Sequence, residues 1–448
     1  MKKQEKNNLL EKITALSKRR GLLYPNSEIY GGFAGFYDYG PIGVEMKNNL
    51  KKLWWDYMVT SRADVVGIDG TIITHPMVWE ASGHIKNFND EMVECKKCHK
   101  RFRVDKLDDD KCPECKGEVT NSRKYNLMME TEVGVVQGEK TKTYLRGEAC
   151  QNIYLDYENV LNSTRMKIPF GIAQIGKAFR NEVTPGRIFG RAREFEQYDL
   201  QYFVNPKEAK KWYEYWKEER IKFYKTIYRN KENIRLRKHA DDELAFYAKV
   251  AYDIEFNSPW GWEENEGIHW RGDYDLTQHG KFAHKDFTYT DPNTGEKYIP
   301  YIVETSGGVD RTFLFALFDA YEEEQLENGN ERVVLKLNPL LAAYKAAVFP
   351  LVANKEKLVE ISQEIFDNLS RKFSVTLDTR GNIGKRYRYQ DEIGTPYCIT
   401  VDYETLEDNT VTIRDRDTMK QERVKIEQLD DIITKKLSEQ LDKLYAKN

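Results

Sequence analysis

The sequence predicts a folded protein of mixed helices and strands that ends in a small α/β domain. Three observations lead to this prediction. A chain of 448 residues has room for two or three domains of about 150 residues each. Hydrophobic residues make up 40% of the chain and aromatic residues 12%, which is enough to build a core. After Pro339, strand-like and helical patterns alternate, which indicates an α/β domain near residues 341–448.

The order of elements before that domain follows from periodicity. Residues 1–60 predict a helix, a glycine-rich loop at 30–35 and an amphipathic helix over 44–58. A strand is expected over residues 65–73, stopping at Pro76. Residues 298–305 predict another strand, and the apolar run 309–320 predicts a buried helix. Residues 204–260 are interpreted as a helical, basic insert, because residues 217–238 hold nine Lys/Arg and three Asp/Glu.

Charge and hydropathy exclude several classes of protein. With 70 Lys+Arg and 73 Asp+Glu the net charge is −3, so a polyanion would have to bind at local patches. No stretch approaches the roughly 18 to 20 apolar residues of a membrane span. The N-terminus lacks the apolar segment of a signal peptide. The cytoplasm is therefore the expected compartment.

Four cysteines have the spacing of a metal site. The pairs Cys95/Cys98 and Cys112/Cys115 are separated by 13 residues, close to the zinc-ribbon arrangement of two knuckles. A closed site of four thiolates would be structural, and the insert that carries it is expected near residues 90–125. The alternative is four reduced surface cysteines. Cys150 and Cys398 are expected to be packed thiols.

Two segments bring charged residues together in a way that suggests a binding site. Arg180 and Glu182 precede a short loop, and a strand-like segment returns through residues 191–199. Alternate side chains of paired strands share a face, so the two strands would form a pocket with both signs of charge. This segment alone fits a surface hairpin with ion pairs equally well. Downstream, Glu304 and Ser306 end a strand, and Arg311 lies in the first turn of a helix.

Taken together, these segments resemble motifs 2 and 3 of the class II aminoacyl-tRNA synthetases. The strand that ends in Thr74-His75-Pro76 resembles motif 1, whose proline lies at the dimer interface in that class. The resemblance narrows to the glycyl-tRNA synthetase family of the homodimeric bacterial and archaeal type. The segments that carry the narrower resemblance are residues 30–43, 145–151, 193–197 and 383–397.

The resemblance implies a fold and a set of partners. The fold would be α+β, with an antiparallel sheet flanked by helices in a catalytic domain at 1–340 and an anticodon-binding domain at 341–448. The chain would be an aminoacyl-tRNA synthetase, a homodimer that binds ATP with Mg²⁺, glycine and tRNA-Gly. The zinc-ribbon-like insert would hold a structural Zn²⁺.

The resemblance also assigns an ATP site. Arg180, Glu182 and Arg311 would be catalytic, with Arg180 on the α-phosphate and Arg311 on the γ-phosphate and the adenine. Phe195 would stack on the other face of the adenine, and Glu182 would lie near its exocyclic amine. The remaining expected ATP-binding residues are Asn181, Gly190, Arg191, Arg193, Glu264, Asn265, Gly308, Val309 and Asp310.

A glycine site is implied in the same way, since a pocket for glycine needs acidic groups around the ammonium and walls that exclude a methyl group. The matching residues are Arg103, Glu148, Phe195, Glu196, Gln197, Asp199, Glu304, Ser306 and Gly308. Three neighbouring positions depart from the family. Thr305 replaces a proline, Gly307 an alanine and Asn265 a leucine.

Residues 380–389 combine four cations with two tyrosines, which suits pairing with phosphates and stacking on unpaired bases. The same composition fits a helix with a solvated face. Two other functions stay open at this point. One is a different class II synthetase, and the other is a non-catalytic, synthetase-like subunit that binds nucleic acid.

Overall fold

The computed structural model describes residues 2–104, 107, 111–136, 138–183, 191–245, 247–327 and 329–446, with side chains from residue 9 onward. Helices and strands alternate irregularly along these residues. The helices are α1 (Lys2–Arg20), α2 (Pro41–Trp55), α3 (Pro76–Ala81), α4 (His84–Asn87), α5 (Gln151–Leu155), α6 (Tyr157–Ser163), α7 (Ala209–Ile227), α8 (Tyr274–Ala283), α9 (Val309–Ala320), α10 (Glu356–Leu369), α11 (Ile383–Ile393), α12 (Thr405–Asp408) and α13 (Leu429–Tyr445).

The strands are mostly short, and three of them reach ten residues or more. They are β1 (Leu23–Pro25), β2 (Tyr37–Tyr39), β3 (Val65–Gly67), β4 (Asn89–Glu94), β5 (Arg101–Arg103), β6 (Arg123–Asn126), β7 (Met129–Val133), β8 (Thr141–Leu145), β9 (Phe170–Phe179), β10 (Glu194–Val204), β11 (Ile234–Lys238), β12 (Val250–Ser258), β13 (Gly261–Gly272), β14 (Tyr289–Thr290), β15 (Lys297–Tyr298), β16 (Tyr301–Gly308), β17 (Tyr321–Gln325), β18 (Glu331–Leu335), β19 (Ala346–Pro350), β20 (Val375–Leu377), β21 (Tyr397–Val401), β22 (Thr410–Asp415) and β23 (Gln421–Lys425).

A seven-stranded sheet forms the centre of the molecule, in the order β11-β12-β13-β16-β10-β9-β3. Every neighbouring pair is antiparallel except β3 with β9. The long strands β9, β10 and β13 are buried over most of their length, because helices cover both faces. The prediction of an antiparallel sheet flanked by helices is confirmed.

The two faces of this sheet have different cores. On the back face, Trp54 of α2 stacks on Tyr198 of β10 with ring centroids 5.1 Å apart. Trp216 of α7 contacts Tyr202 at the same distance. On the front face, Tyr157 of α6 packs on Phe203 of β10. Because side chains alternate along a strand, β10 contributes to both cores.

The predicted helical insert over residues 204–260 is wrong for its second half. That half forms β11 and β12, the first two strands at one edge of the central sheet. Ile234 and Leu236 alternate with Arg235 and Arg237, and this period of two indicates a strand that the count of basic residues obscures. The first half is helix α7, which packs on β13 and β16 and is therefore part of the core.

The region expected as a strand over residues 65–73 is also shorter than predicted. Only Val65–Gly67 forms a strand, and Ile73 makes an isolated bridge to Leu145. Helix α3 then starts at Pro76, at a first-turn position that suits proline because its missing N–H is not needed there.

The C-terminal residues form the predicted α/β domain. Its sheet has the order β20-β19-β21-β22-β23, in which β19 pairs in parallel with β20 and β21, and the other pairs are antiparallel. Helix α10 packs on β19 and β20. The chain enters this domain through a loop held by Lys345, whose Nζ donates to the carbonyls of Pro339, Leu340 and Ala342 at 2.8 to 3.0 Å.

None of the helices in the described residues is both long enough and apolar enough to cross a membrane.

Candidate active site

A cluster of buried polar side chains lies on the front face where β10 pairs with β16. Asp199 lies directly opposite Ser306 in the register, and Ser306 Oγ donates to Asp199 Oδ2 at 2.9 Å. Gln201 Nε2 joins the two strands, since it donates to Asp199 Oδ1 at 2.5 Å and to Glu304 Oε1 at 2.9 Å. The sequence predicted that Asp199, Glu304 and Ser306 share one site, and the structure brings them together.

Glu304 is the most strongly bound carboxylate of the cluster. Arg271 Nη1 donates to both of its oxygens at 3.0 and 3.1 Å, and His269 Nδ1 lies 2.8 Å from Oε2. Burial opposes ionisation, but Arg271 and His269 outweigh it and lower the pKa of Glu304 to about 2. Arg271 is held in turn by Asp275, with two contacts of 2.7 and 2.8 Å.

The pKa of Asp199 is shifted in the opposite direction to that of Glu304. Burial and the nearby negative charge of Glu304 raise the pKa of Asp199 well above its usual range. Two fully buried carboxylates therefore share this part of the site, and only Glu304 has a cation beside it. The cluster as a whole favours an additional positive charge, such as an ammonium group.

Glu148 completes the acidic cluster from the segment that precedes α5. Its Oε1 accepts from Gln151 Nε2 and from Cys150 Sγ, both at 2.9 Å, and His84 Nε2 lies 3.1 Å away. Burial would raise the pKa of Glu148, but His84 and Arg271 lower it well below its usual range. Cys150 is therefore a packed thiol, as predicted, and it lies against the site.

Arg180 lies at the open side of the cluster, directly after β9. Its guanidinium is 5.1 Å from the ring centroid of Phe88 and 5.2 Å from that of Phe195. Its Nε donates to the carbonyl of Gly147 at 3.2 Å. Among the described residues, the two Nη groups of Arg180 have no acceptor. The rings of Phe88 and Phe195 therefore orient this side chain, and its Nη groups present two donors to a ligand.

The loop between β9 and β10 adds further charge. Arg193 Nε donates to the carbonyl of Glu182 at 3.0 Å. Arg191 Nη1 lies 3.5 Å from the Glu182 carboxylate. The N–H of Asn181 donates to Leu127, which ties this loop to the segment before β7. Gly190, also predicted to bind ATP, lies outside the described residues.

Arg311 and Glu264 lie together beside the end of β16, where α9 begins. Arg311 Nη1 donates to the backbone carbonyl of Glu264 at 2.7 Å and is 3.6 Å from its carboxylate. The Glu264 side chain is half exposed, so it can accept a further ligand. Gly308 precedes Arg311 at the end of β16, and its partner in the register, Gln197, accepts from the N–H of Ala149 at 3.0 Å.

Glu196 and Asp310 were predicted to contact the ligands, and the structure places them on the back face. Glu196 is one residue away from Gln197, so the alternation of β10 turns it toward α2. There it pairs with Lys47 at 2.7 Å and with Lys51. Asp310 Oδ2 accepts from the N–H of Glu196 at 2.5 Å. These two carboxylates fix α2 and α9 against β10 and are not part of the acidic cluster.

Val309 and Asn265 also face away from the acidic cluster. Val309 is fully buried in the core of the back face. Asn265 donates to Tyr228 Oη and accepts from Thr312 Oγ1, both at 3.0 Å. The departure of Asn265 from the family leucine therefore adds hydrogen bonds within the core, and any contact of this position with ATP would have to come from its backbone.

The other two departures are on the back face as well. Thr305 is buried there with a hydroxyl that has no partner in the described residues. A Cβ added at Gly307 would lie 2.4 Å from Tyr198 Cε2. Gly307 is thus required by the position of Tyr198, and neither departure alters the side chains of the acidic cluster.

Arg103 is placed on β5 of the cysteine insert, where Nη1 lies 3.0 Å from Asp90. Asp90 also lies 3.7 Å from Arg191. The insert is therefore linked through one carboxylate to the loop that follows β9.

Three residues of the cluster were not identified from the sequence, namely Gln201, His269 and Arg271. His269 and Arg271 alternate on β13, and His269 lies opposite Glu304 in the register. The signal was the pattern His269-Trp270-Arg271, but it becomes informative only once β13 is known to pair with β16. Gln201, two residues after Asp199, could have been found from its position on the same face.

The four cysteines of the insert form a compact group. Their sulfur atoms all lie within 4.8 Å of one another, with Cys95 to Cys115 at 3.4 Å and Cys98 to Cys112 at 3.7 Å. Four thiolates around Zn²⁺ at 2.3 Å would be about 3.8 Å apart, so the donor set fits a tetrahedral zinc site. Backbone N–H groups of Cys98 and Cys115 point at sulfur, as in zinc knuckles.

Comparison with known families gives two matches. The family described as "tRNA synthetase class II core domain (G, H, P, S and T)" matches residues 131–386. The family described as "Anticodon binding domain" matches residues 345–436.

Similar proteins extend over nearly the whole chain. A protein named glycine–tRNA ligase from Borreliella burgdorferi is 50% identical, covering 94% of this chain and 96% of its own length. One of the same name from Clostridium acetobutylicum is 47% identical, covering 96% and 98%. Among solved structures, prolyl-tRNA synthetase from Cryptosporidium parvum complexed with L-proline and AMP has a TM-score of 0.65 at 15% identity, covering 96% of this chain and 78% of that one. This last likeness is one of fold.

Proposed function

The chain belongs to the glycine–tRNA ligase family of class II aminoacyl-tRNA synthetases, and we propose how its residues divide the work of that reaction. The enzyme activates glycine with ATP and transfers it to tRNA. In the first step an oxygen of the glycine carboxylate bonds to the α-phosphorus and pyrophosphate leaves. A carboxylate is already ionised at neutral pH, so no general base is required. The site must orient the two substrates and stabilise charge on phosphate.

The buried acidic cluster is the observation that carries the assignment of the glycine site. Glu148, Asp199 and Glu304 present three carboxylates beside Ser306, with one guanidinium among them. The ammonium group of glycine supplies the missing positive charge. Selectivity against larger amino acids follows from size, because added volume in a packed, rigid pocket costs about 1 to 3 kcal/mol.

Arg180 is assigned to the α-phosphate. Its planar guanidinium lies near the rings of Phe88 and Phe195, and its Nη donors, which have no acceptor among the described residues, suit a bidentate contact with phosphate oxygens. Phe195 would share one of its faces with the adenine. Arg311, in the first turn of α9, is assigned to the γ-phosphate.

Mg²⁺ bound with ATP would supply additional positive charge on the phosphates. Glu264 is the described carboxylate that best fits such an ion, since its side chain is half exposed beside Arg311. The zinc site is assigned to Cys95, Cys98, Cys112 and Cys115. Its role would be structural, holding the insert from which Arg103 and Asp90 reach the loop after β9.

A groove on the C-terminal domain is assigned to the tRNA anticodon. It has a volume of about 930 Å³ and is lined by α11 and by Arg20 of α1. Lys385 and Arg380 are exposed in it, whereas Arg386 is structural because its guanidinium donates to the carbonyls of Pro350, Thr379 and Gly381. Exposed cations beside Tyr389 suit the phosphates and bases of a single-stranded loop. The domain boundary at 340/341, the homodimer and the cytoplasmic location stay predictions.

The test is amino-acid-dependent exchange between ATP and pyrophosphate, measured with each of the twenty amino acids and Mg²⁺. Exchange with glycine alone is expected. Exchange with another amino acid would keep the class II chemistry and overturn the glycine pocket. In the glycine reaction, Glu148→Ala or Ser306→Ala should raise the KM for glycine or lower kcat. Wild-type kinetics in both variants would contradict the assigned site.

A further inference from the structure

The two oxygens of the Glu148 carboxylate have different surroundings. Oε1 has three donors around it, namely Gln151 Nε2, Cys150 Sγ and His84 Nε2, at 2.9 to 3.1 Å. In the part of the chain that the structure describes, no protein group donates to Oε2. One oxygen is saturated by the protein, and the other is left for a ligand.

His84 is held rigidly at this position. It is buried, and its ring makes edge contacts with Trp79 and Phe88 at centroid distances of 5.2 and 5.3 Å. Its Nδ1 lies 2.8 Å from Ser82 Oγ. Packing and the hydrogen bond therefore fix both the ring plane and the distance from Nε2 to Glu148.

The contacts also determine which nitrogen carries the proton. An ionised carboxylate only accepts hydrogen bonds, so Nε2 of His84 must carry a hydrogen to donate to Glu148. In the neutral ring Nδ1 is then an acceptor, which the hydroxyl of Ser82 can satisfy. The chain Ser82–His84–Glu148 works without a charge on the imidazole.

A second set of hydrogen bonds, from His279 through Gln151, also reaches Glu148. The side-chain oxygen of Gln151 lies 2.9 Å from Nε2 of His279, and its nitrogen donates to Glu148. Burial lowers the pKa of His279, which favours the neutral ring at that end. Two buried histidines thus act on one carboxylate, one directly and one through an amide.

We propose that His84 is a positioning residue for glycine, which holds Glu148 through Oε1 so that Oε2 faces the ammonium group of the substrate. The proposal rests on the proposed function, in which Glu148 binds glycine. Glycine offers only an ammonium and a carboxylate, so a misoriented Glu148 weakens one of the few contacts that the substrate can make. The binding of ATP is assigned to other residues and should not depend on the Glu148 carboxylate.

The test uses two substitutions at His84 that separate hydrogen bonding from packing. His84→Gln keeps a donor near the position of Nε2 and loses the aromatic ring. His84→Leu keeps apolar volume against Trp79 and Phe88 and loses the donor. Exchange between ATP and pyrophosphate gives the KM for glycine and the KM for ATP in each variant. His284→Gln, a change at an exposed histidine after α8, is the matched control.

We expect His84→Leu to raise the KM for glycine about tenfold or more, since a hydrogen bond to a charged group is lost, while the KM for ATP stays within about twofold. His84→Gln should restore most of the glycine affinity, and Ser82→Ala should give an intermediate increase. His284→Gln should behave as wild type.

Four outcomes would decide against the proposal or its premise. If His84→Gln is impaired more than His84→Leu, the residue acts by packing beside Phe88. If both variants raise the KM for ATP and glycine equally, the effect is general and positioning is excluded. If Glu148→Ala leaves the KM for glycine unchanged, the assignment of the glycine site fails, whereas a normal His84→Leu with an impaired Glu148→Ala overturns only the role of His84. Thermal unfolding of each variant identifies a folding defect.

Discussion

Arg220 and Glu266 form a two-point ion pair that is completely buried on the back face of the central sheet. Nε lies 2.6 Å from Oε1 and Nη2 lies 2.8 Å from Oε2. Tyr224 donates a further hydrogen bond to Oε2 at 2.5 Å. The pair connects α7 with β13, so the segment first interpreted as an insertion is bound to the centre of the fold.

Removing one partner of this pair should strongly destabilise the enzyme. Arg220→Met leaves the Glu266 carboxylate buried without a cation, which typically costs about 3 to 5 kcal/mol. The free energy of unfolding in urea measures the effect. Lys96→Ala serves as the control, because its partner Glu118 is largely exposed and such pairs contribute little. An equal, small effect in both variants would show that Tyr224 and its neighbours hold the carboxylate without Arg220.

The two carboxylates of the glycine site should affect stability with opposite signs. The pKa of Asp199 is raised, so the folded state holds a proton that the unfolded state releases above about pH 3.9, and stability falls as the pH rises through that window. Asp199→Asn should remove this fall, leaving the protein at least as stable as wild type at pH 7. The KM for glycine should nevertheless rise about tenfold or more, because an amide cannot ionise beside the ammonium as the carboxyl group can.

Glu304→Gln is the matched change. The pKa of Glu304 is lowered to about 2, so its contribution is present above about pH 4.3 and is lost only as the pH falls through 2. The amide cannot replace the charge beside Arg271 and His269, and stability at pH 7 should decrease by about 2 kcal/mol. Urea unfolding between pH 2 and pH 8 gives both curves. A decrease in stability at pH 7 in Asp199→Asn would contradict the assigned direction of its pKa.

The zinc prediction is tested by metal content. The protein should contain about one zinc per chain, since four thiolates complete a tetrahedral site. Cys95→Ser should reduce that content and expose the insert to proteolysis. Cys398→Ala, at a buried cysteine of the C-terminal domain, should leave the zinc content unchanged. Full zinc content in Cys95→Ser, or no zinc in the wild type, would contradict the assignment of the zinc site to these cysteines.

Sequence patterns predicted the structure correctly where the residues that form the pattern are close together in the chain. The run Val309–Ala320 predicted the helix α9 with its observed bounds, because nearly every residue is buried. The spacing of the four cysteines predicted the insert for a similar reason, since the pattern is local. Glu304 and Ser306 were placed together correctly because both lie on one strand.

The errors arose where the answer depends on strand order. Glu196 was grouped with Asp199, although they differ by an odd number of residues and so face opposite sides of β10. His269 and Arg271 were missed because nothing local shows that β13 lies next to β16. Basic residues on β11 concealed the alternation of Ile234 and Leu236. Each case needs the pairing of strands distant in sequence, which periodicity alone does not give.

The role of Arg180 should depend on the shape of its guanidinium as well as on its charge. Arg180→Lys keeps the positive charge and loses the planar fork between Phe88 and Phe195. We expect kcat for pyrophosphate exchange to fall about a hundredfold, as for other removed donors at a developing charge. Arg371→Lys, at an exposed position after α10, should have no effect. Near-normal exchange in Arg180→Lys would show that charge alone is sufficient at this position.

The groove on the C-terminal domain should affect charging of tRNA without affecting activation of glycine. Lys385→Ala and Arg380→Ala remove exposed cations at the N-terminal end of α11, and each should raise the KM for tRNA and reduce the salt dependence of binding by about one phosphate contact. Pyrophosphate exchange does not involve this domain and should stay at the wild-type rate. Lys357→Ala, an exposed lysine on α10, is the control for a general change in charge.

If all three variants lower tRNA affinity equally, the effect is one of net charge, and the groove loses its assignment. If Lys385→Ala and Arg380→Ala both keep the wild-type KM and salt slope, the anticodon must bind elsewhere on the domain.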